Sequence, residues 1–198
     1  MGQKSSRKAN HQDITEEDFY PDYFIKNVSL NEQDIDLTSS TWNIIKSGIS
    51  TTPFEEKRKS EDFYHLSTST WFYEIFYDDF FRRCPLSIPL FDNIGQISRG
   101  KLIAGLFSIS LGVLFNQDEV VRNLEKIASS HHNMGVDPFY YGEMGRSLFW
   151  SLEVVLASDF DDRKRLAWTK LYSFMLSVII PVAVDLRRKS LPVSIENS

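Results

Sequence analysis

Asp118-Glu119-Val120-Val121-Arg122-Asn123-Leu124-Glu125-Lys126-Ile127-Ala128-Ser129-Ser130-His131-His132-Asn133-Met134-Gly135-Val136 carries the most telling helical pattern in the chain. Wound as an α-helix, it brings Leu124, Ile127, Ala128 and His131 onto one face by their i, i+3, i+4, i+7 spacing. An imidazole therefore ends an otherwise apolar stripe, one turn before a glycine suited to stopping the helix. His132 lies about 100° further round, so only one of the pair can face the same pocket. Counting back from His132 gives Ala128, Glu125 and Val121, a mixed face, which leaves His131 as the inward residue. Two readings of His131 stand on the pattern alone. It is a packed core histidine, or a neutral imidazole ligating a metal in apolar surroundings, for which haem iron is the leading case.

The 198 residues fit one domain with a tail, large enough to enclose a cofactor. A net charge of −5, from 22 basic and 27 acidic residues, argues against a nucleic-acid partner, which calls for a basic stripe. The single cysteine, Cys84, rules out an intrachain disulfide and suits a reducing, cytoplasmic setting. Leu171 to Val184 is apolar but short and holds Pro181, so it reads as a buried helix. Aromatic residues make up 14% of the chain and gather in 71–91 and 139–150, where they can line a flat apolar cavity. No Gly-rich phosphate loop, Cys-x-x-Cys pair or His-Glu-x-x-His motif is present. Cys84 before Pro85 reads as packing, and Asp78-Asp79 and Asp161-Asp162 as surface or helix-start charge.

The amino terminus, Met1-Gly2-Gln3-Lys4-Ser5-Ser6, fits the pattern for myristoylation at Gly2, and Lys4, Arg7 and Lys8 add charge that suits anionic lipid. The same residues also fit a plain polar tail. One acyl chain gives only reversible attachment, so the expected location is cytoplasmic or peripheral at the inner face of a membrane. Residues 13–36 are strongly acidic, which predicts an extended or weakly ordered lead-in and a tail over 1–36.

From 37 onward the pattern is helical, with no competing strand and no internal repeat. Helices are predicted over 37–46, 69–83, 98–115, 118–131, 138–157 and from Ser158 or Asp159 to about 189, separated by a polar insertion at 50–67 and a proline-bounded connector around Phe91. Asp137-Pro138 is a helix-start signal, and Pro181 should kink the last helix. The class is all-α with about seven helices, spanning 37–189 and followed by a tail at 190–198.

In order and spacing, Trp42, Pro85 with Phe91, His131 with its apolar stripe, Pro138 and Ala167-Trp168 resemble the landmarks of the globins, most closely bacterial-type globins and the globin part of flavohaemoglobins. The resemblance implies a globin fold without a separate D helix, a haem b cofactor with its iron on His131, and Phe91 packed against the haem face. It further implies that Tyr77 points a hydroxyl at the gas ligand, that Ile103 is the apolar neighbour above the iron, and that Ile127 lines the haem pocket. Arg99 and, one turn earlier, Gln96 are the two candidates for the distal polar residue. There is no distal histidine, since His11 and His65 lie in the tail and the insertion.

The function implied is reversible binding of a diatomic gas, oxygen or nitric oxide, in oxygen binding, nitric oxide chemistry or gas and redox sensing. Nitric oxide dioxygenation would need an external reductase, because the chain carries no flavin or nicotinamide domain. A signalling partner is the other expected contact. The alternative is a haem-free globin-fold regulatory or adaptor module.

Overall fold

A computed structural model describes residues 14–47 and 67–190. Gly2, His11, His65 and the insertion up to residue 66 lie outside the described residues. The described elements, apart from short 3-10 turns, are six α-helices: α1 (Glu32–Ser47), α2 (Thr68–Arg83), α3 (Gln96–Ser110), α4 (Gln117–Asn133), α5 (Phe139–Leu156) and α6 (Asp162–Ser190). No strand occurs among the described residues. A seven-residue 3-10 segment, Pro85–Phe91, follows α2, and only Asp92–Gly95 separates it from α3, so no further helix intervenes there.

Local chemistry sets these boundaries. Ser67 caps α2 by accepting from the Thr70 amide, and Asn116 caps α4 by accepting from Glu119. Gly135, at φ 82°, takes the left-handed conformation that turns the chain after α4. Asp137 accepts from the Phe139 amide at 2.9 Å and opens α5 next to Pro138. The start of α6 differs from the sequence expectation: its cap is Asp161, which accepts from the Lys164 amide at 2.9 Å. Ser158 and Asp159 belong instead to a separate 3-10 turn, Ala157–Asp159, which opens on Ala157 at φ 47°. Likewise α3 stops at Ser110 rather than running to 115, because 111–116 closes tighter turns around Gly112.

The larger correction concerns residues 14–36, expected as a weakly ordered lead-in. Helix α1 begins at Glu32, where Asn31 and Asp34 cap each other: each side chain accepts the other's backbone N–H, at 2.9 and 3.1 Å. Asp34 is buried and ion-paired to Lys170 of α6, both of its oxygens lying 3.0 Å from Nζ. Upstream, Ile14, Phe19, Tyr20, Tyr23, Phe24, Val28 and Leu30 pack against the core. Glu17, Asp18, Asp22, Glu32 and Asp36 face water while the aromatic and aliphatic residues between them are held to the body, so net charge misjudged the segment.

The core is aromatic. Trp42, Phe107 and Trp168 meet edge to face with centroids 5.1 to 6.3 Å apart, joining α1, α3 and α6. Phe72, Phe76 and Phe80 stack along one face of α2. By length and composition α6 could cross a bilayer, but two thirds of its apolar window is buried among the other helices, as a core helix requires.

Candidate functional site

Between these helices lies a cavity of about 320 Å³. Its lining draws on α2, the 3-10 segment, α3, α4, α5 and α6 and is overwhelmingly apolar. The volume falls at the lower end of that usual for small-molecule sites, about 300–1,000 Å³. His131, Tyr77, Phe91, Ile103 and Ile127 all line it. His132 does not; its Nε2 is 3.0 Å from the Ser190 hydroxyl at the end of α6.

His131 reaches the cavity from the last turn of α4, anchored by fully buried Leu124 and Ala128 on the same face. Burial holds its imidazole below the usual pKa, which favours the neutral form. Its Nδ1 lies 3.3 Å from the Tyr141 hydroxyl of α5, and the two rings stack at 5.8 Å. In the tautomer whose Nδ1–H donates to Tyr141, the Nε2 lone pair is available, and no described residue hydrogen-bonds that nitrogen. Tyr141 is itself buried, which pushes its phenol well above the ordinary range, so it stays a neutral partner. Sequence reasoning missed Tyr141. Its spacing from His131 crosses a turn, and no single-helix periodicity links the two.

Tyr77 lies on α2 with its ring 5.6 Å from Phe91, and burial raises its phenol despite the opposing influence of Arg99. Its hydroxyl donates to the Arg99 carbonyl at 3.0 Å, tying α2 to α3. Arg99 is not part of the lining. Its Nε donates to the Ile94 carbonyl at 2.8 Å and its guanidinium rests over the Tyr77 and Phe81 rings. Gln96 opens α3, and its side chain lies outside the described ones. Lys101 is the charged residue of the lining, exposed at its rim. Cys84, buried and not among the cavity-lining residues, has its thiol pushed up to about 11 by burial, which favours the protonated thiol at neutral pH. No cluster of metal-binding side chains occurs among the described residues, so His131 would be a lone protein ligand.

These residues fit a flat, apolar, iron-bearing group: aromatic and aliphatic walls, one imidazole kept neutral with a free lone pair, and a cation at the rim. Residues 76–179 match the globin family model, just over half of the chain, and the chain belongs to the globin family. The match begins inside α2, so α1 and the segment before it lie outside it although both pack on the same core. No curated protein matches the chain.

Proposed function

We propose that this globin holds haem b through His131 and reversibly binds a diatomic gas, oxygen or nitric oxide. The observation that carries the reading is the single neutral imidazole in the wall of an apolar cavity shared by all the surrounding helices. Haem iron, when bound, supplies an exchangeable coordination position for such a gas. His131 offers Nε2 while Tyr141 fixes its ring through Nδ1. Phe91, Ile103 and Ile127 keep water from the cavity, and Lys101 suits an acidic edge at the rim. The Tyr77 proton is engaged by the Arg99 carbonyl, so donating it elsewhere requires that bond to open. Arg99 supports Tyr77 from behind in this reading and does not itself face the gas.

We further propose a location in the cytoplasm, with reversible membrane contact through an acylated Gly2, and a separate reductase or signalling protein as partner. The test is the visible spectrum of the full chain with added haem, reduced and under carbon monoxide, beside His131→Ala. A sharp carbon monoxide Soret band in the wild type, lost or shifted in the variant, supports the reading. Failure of the wild type to take up haem refutes it and leaves a haem-free adaptor.

A further inference from the structure

The segment before α1 meets the body at α6 as well as at α5. Pro21, Asp22 and Tyr23 meet a face of that helix formed by Gly142, Gly145, Arg146 and Phe149, which follow i, i+3, i+4, i+7. A glycine inside a helix costs about 1 kcal/mol relative to alanine, so two on one face call for a packing reason. The reason is space. A methyl group at Gly145 would collide with the Tyr23 hydroxyl and come within 2.5 Å of the Tyr172 ring. At Gly142 it would meet Pro21 at 3.4 Å, an ordinary van der Waals contact, so the need for space falls on Gly145. Asp22 pairs with Arg146 at 2.9 Å, and the same guanidinium lies over the Tyr23 ring.

Two tyrosine hydroxyls then hold successive carbonyls of α5. Tyr23 donates to the Gly142 carbonyl at 2.8 Å, and Tyr172, from α6 and part of the cavity lining, donates to the Tyr141 carbonyl at 2.8 Å. Tyr141 is the residue whose own hydroxyl meets His131 Nδ1. The path from the amino-terminal segment to the cavity imidazole is therefore continuous: Tyr23, the α5 backbone and Tyr172, Tyr141, His131.

We propose that Tyr23 is a positioning residue for His131, acting through the first turns of α5 and through Tyr172 and Tyr141. The functional weight of this role rests on His131 being the iron ligand, but the placement itself does not. The segment over residues 14–31 is thereby a handle on the site. A contact that draws it off α5 frees the Gly142 carbonyl, opens the space above Gly145 and loosens the ring partner of His131.

The experiment uses the full chain without haem, with the His131 ring nitrogens followed by nitrogen-15 NMR at about pH 8, where a free imidazole is neutral. Tyr23→Phe keeps the ring and removes only the hydroxyl. It should shift the His131 Nδ1 resonance from its wild-type position. Gly145→Ala should move it in the same direction and further. In a Tyr141→Phe background, neither change should add to the Nδ1 shift, because the connection is already cut. Ser67→Ala, which removes the cap of α2 and bonds no residue of this path, should lower stability and leave the Nδ1 resonance in place. If Tyr23→Phe lowers stability but leaves the His131 Nδ1 resonance at its wild-type value, the proposal falls, whether or not Gly145→Ala folds. A separate haem titration of the same samples tells that failure from failure of the haem reading: uptake with an unmoved Nδ1 resonance overturns only the positioning role.

Discussion

Replacing Asp34 by alanine tests whether the amino-terminal part of the chain is integral to the globin body. The substitution removes two things at once. It takes the carboxylate from Lys170, whose side chain is only 25% exposed, and it deletes the acceptor for the Asn31 amide at the start of α1. An exposed ion pair contributes about 0–1 kcal/mol, whereas breaking a fully buried one costs about 3–5 kcal/mol. The Asp34 side chain is 10% exposed, which places this pair between those limits, near 2 kcal/mol by the same comparison. The lost reciprocal cap adds about 0.5–1 kcal/mol. Asp34→Ala should therefore destabilise the protein by roughly 2–3 kcal/mol, or about 4–12 °C in Tm for a chain of this size. Urea unfolding of the haem-free protein, followed by circular dichroism, reads the loss as a lower midpoint with an unchanged slope. Lys170→Met and the double variant complete a cycle with an expected coupling above about 1 kcal/mol. A loss below about 0.5 kcal/mol for Asp34→Ala, the range of an ordinary surface substitution, or strict additivity in the cycle, would refute the burial argument.

Two further outcomes follow from other sites. Burial holds the His131 imidazole below its unfolded value, so the unfolded chain takes up that proton first as pH drops. Its contribution is complete above about pH 6.5 and declines as pH falls from there through the lower folded value; His131→Phe should flatten this part of the stability–pH curve in haem-free protein. Leu124→Ala, at a fully buried position two turns before His131, should cost about 2–5 kcal/mol in urea unfolding; a loss under about 1 kcal/mol would mean that the space collapses without difficulty.

The apolar stripe of α4 was legible because its spacing is periodic over two turns, from Leu124 to His131, with a glycine beyond; the aromatic face of α2 is periodic in the same way and stops at Cys84-Pro85. What the sequence hid was long-range. Asp34 looks like one more acidic residue in an acidic run until Lys170 is brought to it from the other end of the chain. Tyr141 and Tyr23 are single aromatic residues without a period, and their roles arise from partners 10 and 119 residues away. Gly142 and Gly145 were the available signal, since paired glycines on one helix face ask what comes close to them. Arg99 shows the reverse problem. The family resemblance offered it, beside Gln96, as a candidate distal residue, but its stem and guanidinium found a carbonyl and two aromatic rings beside the cavity.

Because α6 packs on α1, α4 and α5 and is also the last described helix, the order of synthesis constrains the order of folding. Trp168, Lys170 and Tyr172 leave the ribosome after almost every residue they hold in place: Trp42 and Phe107, Asp34, and the Tyr141 carbonyl. Until they emerge, the first five helices carry exposed aromatic faces and an unclosed cavity, a state that invites chaperones. Emergence of α6, rather than completion of any earlier helix, is thus the event that first closes the pocket.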